Sequence, residues 1–541
     1  MRNCVQAAIF LLLSLCLTSP VSADPQALTG ALESLKSKSF KTKAAAVEQI
    51  AQSGEPSAHL VLEALLDGRM YKRKSDSTIV MVERDPEGDL ILHDPVAGTV
   101  LGKTEKSALR KIIINNAMRG ALRIELARLS LQAPDPTERR LAVKSLLGSL
   151  SPDTVALLRD VIVEERDPDV LEALRIALAI ADLESKDVER RVEAIHAVAG
   201  NMHPEVRNRL NEIVTRDADE EVEQDGRVRE AATAALATID RWRDVYGLVE
   251  TTFFGLSLGF VLALAAIGLA ITFGVMGVIN MAHGELIMLG AYATYVVQQA
   301  MPNQLELSLF VAIPVAFATS ALVGVLIERG VVRFLYGRPL ETLLATFGVS
   351  LILRQIVRTV FSPLNRAVTT PDWMSGQFVI NDALAITNIR LSIIVFSILV
   401  FAALISLLRF TTLGLQIRAV SQNREMARAM GIRGGWIDTT TFGLGAGVAG
   451  LAGVALSQLT NVGPNLGQAH IVDSFMVVVF GGVGNLWGTL MAGLSLGVAN
   501  KFLEPFAGAV LAKILVLVFI IFFIQWRPRG LFPQQGRAAE A

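Results

Sequence analysis

The sequence predicts an all-α fold in two parts: an exported α-helical domain carrying a small β-hairpin insertion, then a polytopic bundle of membrane helices. Three observations predict it. Charge divides the 541-residue chain: Thr251 onward holds 17 Lys+Arg and 11 Asp+Glu, whereas the first 250 residues hold 33 and 40. Apolar stretches of near-spanning length recur from Leu248 onward. The charged first part instead reads as short amphipathic helices with apolar residues at i, i+3 and i+4. It carries no long basic stripe, which argues against nucleic acid as a partner.

The chain opens "MRNCVQAAIFLLLSLCLTSPVSADPQ". Arg2, an apolar core over residues 7–17 and the small-residue exit Val21-Ser22-Ala23 form the pattern of a signal peptide, residues 1–23, cleaved after Ala23. The apolar run is short for a hydrocarbon core of ~30 Å, and Leu15 before Cys16 is not the small residue of a lipoprotein signal. Cys4 and Cys16 are the only cysteines. Both fall in the leader, so no thiol or disulfide chemistry is expected of the mature chain.

Residues 24–245 read as a periplasmic helical domain. Val143, Leu146, Gly148, Pro152, Leu158, Val161 and Ile162 recur 52 residues later as Ile195, Val198, Gly200, Pro204, Leu210, Ile213 and Val214. Each set describes a helix ending near a glycine and a second helix begun by proline. Residues 170–181 and 228–239 seed further helices, and "VREAATAALATI" resembles the helical face of HEAT-type repeats. Such units cannot bury their apolar faces alone, so stacking into a small solenoid is expected. Residues 72–107 interrupt the pattern with a hairpin around the turn Asp85-Pro86-Glu87-Gly88. The following "AGTVLGKT" nearly matches a phosphate-binding loop, but Ala97 stands where the first glycine is needed and no strand–helix unit surrounds it.

Residues 246–530 form the transmembrane part, and 531–541 a cytoplasmic tail. About nine crossings are predicted, at 251–274, 284–301, 307–328, 341–361, 391–409, 437–458, 471–484, 486–504 and 509–526. The seventh is short and runs into "GGVGNLWG", so 471–504 reads either as two spans or as one broken helix. An exported N-terminal domain makes the first span run inward. The arginine-rich loops then all fall inside: Arg329, Arg333 and Arg338; Arg409, Arg418, Arg424, Arg428 and Arg433; Arg527, Arg529 and Arg537. The sixth span places Gly443, Gly447, Gly450 and Gly453 where close helix packing in lipid needs small residues.

Polar residues in the apolar half are the candidate functional groups. "GVINMAHGELIMLGAYATY", residues 277–295, sets Asn280, His283 and Glu285 within six positions. His283 and Glu285, two apart on a helix, point in different directions. No H-E-x-x-H occurs, and His470 is the only other histidine of this half. No catalytic residue, metal site or cofactor is therefore expected. Two readings stay open: the three fix a tight inner turn, or they line the cytoplasmic mouth of a solute path. Thr346, Ser350 and Asn485 are further neutral candidates for that path. Arg354 and Arg358, one turn apart near the outer end of the fourth span, either meet a carboxylate or snorkel to the interface. Residues 410–435 are too polar to span, yet 417–430 reads as helix: a docking knob, or an amphipathic helix on the lipid surface.

Two strings carry a resemblance. "Glu425-Met426-Ala427-Arg428-Ala429-Met430-Gly431" resembles the E-A-A-x-x-x-G loop by which ABC-transporter permeases engage their ATP-binding subunits, with Met426 for the first Ala. "RAVSQNREMARAMGI" and "GVINMAHGELIMLGAY" are similar to the branched-chain amino acid permease family, in which N-[FM]-A-H-G-E follows the first span. The exported extension is similar to that of the urea-transporter permease. The resemblance implies a non-enzymatic subunit of an inner-membrane importer, its N-terminal domain periplasmic. It implies a second permease subunit, two cytoplasmic ATP-binding cassette subunits and a periplasmic solute-binding protein as partners. Arg418, Glu425, Ala427 and Gly431 would lie on the ATPase-coupling helix. Urea is the substrate expected from the extension; the alternative is a branched-chain amino acid. A passive channel or a sensor would not need the E-x-A-x-x-x-G loop.

Overall fold

The computed structural model describes residues 25–37, 39–55, 57–84, 90–215 and 226–532. The leader, the turn at 85–88 and the end of the tail lie outside the described residues. The chain divides into two compact units between Arg241 and Trp242.

In the first unit, helices α1 (Pro25–Ser34), α2 (Phe40–Gln52) and α3 (Ser57–Leu66) precede a five-stranded antiparallel sheet. Its strands are β1 (Met70–Arg73), β2 (Ile79–Arg84), β3 (Leu90–His93), β4 (Val100–Thr104) and β5 (Leu109–Lys111), in the order β4-β3-β2-β1-β5. The expected lone hairpin is thus only the β2–β3 pair of a larger sheet. Strands β1, β4 and β5 have three to five residues, too few for alternation to show in sequence. Alternation does govern β2: Val80 and Val82 join Leu92 and Leu109 on one face, while Ile79 and Met81 join the helical core of Ile50, Leu62 and Met118 on the other. Lys103 and Thr104 of the loop-like motif lie on β4, paired with β3, not at a helix N-terminus.

Helices α4 (Asn116–Ser130), α5 (Pro136–Leu146), α6 (Pro152–Glu164), α7 (Pro168–Asp182), α8 (Val188–Val198) and α9 (Pro204–Thr215) follow. Asp135, Ser151 and Asp167 cap α5, α6 and α7 ahead of a first-turn proline: each cap oxygen accepts a first-turn N–H that has no partner in the helix, and proline has no N–H to leave unmet. Three echoed pairs are equivalent in burial: Val143, Leu146 and Leu158 are core, as are Ile195, Val198 and Leu210, whereas Val161 is half-buried and its counterpart Ile213 is core. Arg139 on α5 is forked onto Glu165 after α6, Nε to Oε2 at 2.7 Å and Nη2 to Oε1 at 2.9 Å. That fork holds the Glu165 carboxyl at about 2, below the usual carboxylate value of 4.5.

Helix α10 (Gly226–Met276) contains the boundary between the units. Its first turns bury Val228, Ala232, Ala235 and Ile239 in the first unit's core. In the second unit follow α11 (His283–Ala300), α12 (Leu305–Gly330), α13 (Pro339–Phe361), α14 (Asn388–Phe410), α15 (Thr412–Gln422), α16 (Arg424–Ala429), α17 (Gly434–Ser457), α18 (Leu466–Gly481) and α19 (Leu486–Trp526). Among the described residues, α10, α12, α13, α14, α17 and α19 are long and apolar enough to cross a membrane; α11 has 18 residues and α18 has 16. The break expected near "GGVGNLWG" is a turn between α18 and α19. A second break, inside α19, falls at Gly508 (φ 76°) beyond Pro505. A hairpin of β6 (Gln377–Asn381) and β7 (Leu384–Thr387), unforeseen in sequence, lies between α13 and α14.

Helix α17 is the centre of this unit, packed between α11 and α12 and buried along nearly its whole length. A Cβ at Gly450 would stand 2.5 Å from the Ala316 carbonyl of α12, and one at Gly453 would meet the Ile287 carbonyl of α11. Small residues there let backbone meet backbone. The arginine-bearing segments gather near the end of α10. Val275 packs with Ile417, Val420, Ala427 and Ile437; the Arg424 guanidinium lies 4.2 Å from the centre of the Tyr336 ring; Gly274 abuts Gly484, whose neighbour Asn485 donates to Phe532.

Candidate functional site: a buried charged seam and a two-helix hairpin

Helix α10 stops at Met276, and Gly277 (φ 64°) turns the chain. The six residues before α11 are irregular, and protein meets several of their polar groups, while Asn280 Nδ2 is buried without a partner. Asn280 Oδ1 accepts from the Ala282 N–H at 3.0 Å, and the Met281 N–H donates to Thr346 Oγ1 at 3.1 Å. His283 is wholly buried, its Nε2 2.8 Å from the Ala265 carbonyl. A carbonyl only accepts, so Nε2 carries the proton. Irregular backbone at membrane depth is tolerated where protein surrounds it.

Helix α13 supplies the facing surface. Thr342, Thr346, Ser350 and Arg354 stand four apart on one face, and the first three are buried. Ser350 Oγ donates to Glu285 Oε1 at 3.0 Å, and Arg354 Nη2 donates to the same oxygen at 3.1 Å. Arg354 Nη1 donates to Gln468 Oε1 on α18 at 2.8 Å. The side chains of Arg354 and Glu285 are 15% and 2% exposed. One turn along, Met288, Tyr292 and Val357 continue the seam as an apolar cluster.

The sequence had set 280–285 at an inner turn and Arg354 near the outer interface; the structure joins them. Arg354 does not snorkel, because its guanidinium ends on a buried carboxylate. It lies fifteen residues along α13 from Pro339, about 20 Å from that helix's start. Arg358 is exposed. Asn485 stands apart: its side chain caps α19 by accepting from the Gly488 N–H at 3.1 Å. Gln468 was missed in sequence, since a lone glutamine in an apolar run shows no pattern.

The polar segment 410–435 is two helices, not the single helix expected over 417–430. Asn423 leaves helical geometry (φ −153°, ψ 97°) and caps α16 through the Met426 N–H. Ala427 is buried against Ile417, Val420 and Ile437, while Glu425 and Arg418 project outward. Gly431 (φ 87°) closes α16, its N–H on the Arg428 carbonyl and the Ile432 N–H on the Ala427 carbonyl. The hairpin is pinned by Arg424, whose two Nη atoms reach both Asp438 oxygens at 2.7 and 2.8 Å. The sequence offered Arg424 only as a loop arginine and passed over Asp438, fourteen residues on.

Residues 251–524 match the family model described as branched-chain amino acid transport system, permease component. The high-affinity branched-chain amino acid transport system permease protein BraD of Pseudomonas aeruginosa is 29% identical, across 53% of this chain and 96% of that protein. The corresponding LivH proteins of Salmonella typhimurium and Escherichia coli K12 are each 27% identical, across 52% of this chain and 94% of their own length. No solved structure gives a significant match. With the family match covering just over half of its residues, the chain belongs to the branched-chain amino acid permease family of ABC importers, as a transport component rather than an enzyme.

Proposed function

We propose that this chain is a translocation subunit of an ATP-driven importer for a small hydrophobic amino acid in the inner membrane. The observation that carries the substrate is that BraD and the LivH proteins, matched over nearly their whole length, are named for branched-chain amino acid transport. A carboxylate and a guanidinium beside the apolar Met288, Tyr292 and Val357 suit such a solute. The α15–α16 hairpin, presenting Arg418 and Glu425 and closed at Gly431, is the docking surface for a cytoplasmic ATP-binding cassette. A second permease subunit, a second cassette and a periplasmic binding protein complete the machine. Arginines clustered near the end of α10 support a cytoplasmic location for that end, and the signal-like opening of the sequence supports a periplasmic first unit built of HEAT-like repeats.

Urea, the substrate first expected, has no support among these relatives. One observation still favours it: the first unit has no counterpart in relatives that half of this chain covers almost completely. Uptake of labelled leucine and urea by cells with and without this chain separates the two. Leucine accumulation lost on deletion and not competed by urea is expected. Urea accumulation not competed by leucine overturns the substrate but leaves the subunit role. Solute flux through the chain alone in liposomes, without ATP or cassettes, overturns both.

A further inference from the structure

We propose that the Glu285–Arg354 pair is a zwitterion-binding latch: an amino acid opens it by taking over both charges, its ammonium on Glu285 and its carboxylate on Arg354. The inference rests on the amino-acid reading above and names the recognition site within it.

A buried ion pair is a poor stabiliser, because desolvating two charges offsets their attraction. Ionisable groups inside membrane segments are costly and mark solute pathways. Here the pair is also incomplete. Both of its donors, Ser350 Oγ and Arg354 Nη2, converge on Glu285 Oε1. Glu285 Oε2 and Arg354 Nε are buried with no hydrogen-bond partner, as is His283 Nδ1 two residues before the carboxylate. An ionised carboxylate accepts on both oxygens, so a side chain 2% exposed with one oxygen unmet is built to receive a donor.

The chemistry that fits is specific. An ammonium supplies donors to Oε2 and compensates the Glu285 charge when Arg354 leaves. A carboxylate accepts from the guanidinium fork, replacing Glu285 and the Gln468 oxygen. Parting the two side chains is then nearly balanced in charge, whereas a neutral solute would leave both uncompensated and buried. The latch also joins three elements, since Glu285 is on α11, Arg354 on α13 and Gln468 on α18. Opening it frees α13, which is otherwise lightly packed and exposes Leu344, Ile352, Ile356 and Val360.

The test uses the importer purified with its partner permease and cassettes, without the binding protein, and reads direct binding of labelled leucine. Competition by leucinamide, which lacks the carboxylate, and by 4-methylpentanoate, which lacks the ammonium, is expected to be at least about tenfold weaker than by leucine. Arg354→Gln and Glu285→Gln are expected to weaken leucine binding about 10- to 100-fold. R354Q should also erase the preference for leucine over leucinamide, which a merely structural role would not do. The double variant E285Q/R354Q keeps a neutral hydrogen-bonded pair and serves if either single variant fails to assemble. Equal competition by leucinamide and leucine in the unmodified importer overturns the latch, as does unchanged preference in the assembled variants. If the unmodified importer binds urea and not leucine, the amino-acid reading itself has failed.

Discussion

Glu165 and Glu285 each meet an arginine, and the surroundings make the pairings different in kind. Around Glu165 every group is satisfied: both oxygens take Arg139 donors, Oε1 also accepts the Arg166 and Asp167 N–H groups, and Arg139 Nη1 reaches the Ala133 and Pro134 carbonyls. This is a staple between α5 and the turn after α6. Its folded pKa is depressed from 4.5 to about 2, mainly by the Arg139 hydrogen bonds. The stabilisation is therefore fully present above pH 4.5 and is lost as pH falls from there towards 2. Glu165→Gln is expected to lower the unfolding midpoint of the first unit by about 2–4 °C at pH 7, with the gap closing over that acidic window. Thermal proteolysis of the purified full-length chain, followed at the first unit, measures it. Glu285 leaves one oxygen unmet, and that difference separates a staple from a site. The sequence singled out Glu285 and passed over Glu165, but it could not show which oxygens are met, because hydrogen-bond satisfaction is a property of neighbours from other elements.

At the scale of elements, helices with strong local signals were legible. Proline marked the starts of α6 and α9 at Pro152 and Pro204, and the glycines of α17 announced its close packing. The Asn423 break was not legible: "RAVSQNREMARAMGI" has good helix formers on both sides, and only the burial of Ala427 with Ile417 and Val420 demands the bend. That bend leaves Glu425 exposed, its side chain without a hydrogen bond or ion pair among the described residues, so its replacement tests coupling cleanly. Glu425→Arg is expected to spare membrane insertion and folding while reducing ATP-driven uptake at least about tenfold, through charge reversal at the docking face. Uptake and copurification of the cassette subunits, measured together, check it. Gly431→Trp is a harsher probe, since φ 87° already disfavours any side chain there.

At the scale of the whole molecule, the permease half is a recognisable unit and the first 241 residues are an addition to it. Relatives matched over 94–96% of their length align with only about half of this chain. A chain lacking residues 24–240, with residues 1–23 kept, is accordingly expected to insert and to assemble with the proposed cassette subunits, as judged by copurification from membranes. Failure to insert would make the first unit part of the permease fold. The sequence by itself determined the division into charged and apolar parts, the positions of nearly all long helices, the central glycines and the motifs that name the family. These depend on composition, periodicity and short-range order, which one chain displays directly. Only the tertiary structure decided that Glu285 meets Arg354 across 69 residues, that Asn485 is a cap, and that Arg424 pins the hairpin to Asp438. The physical reason is range. A helix reports its own face within a few turns, but the partner of a buried charge is chosen by how faces from distant helices come together.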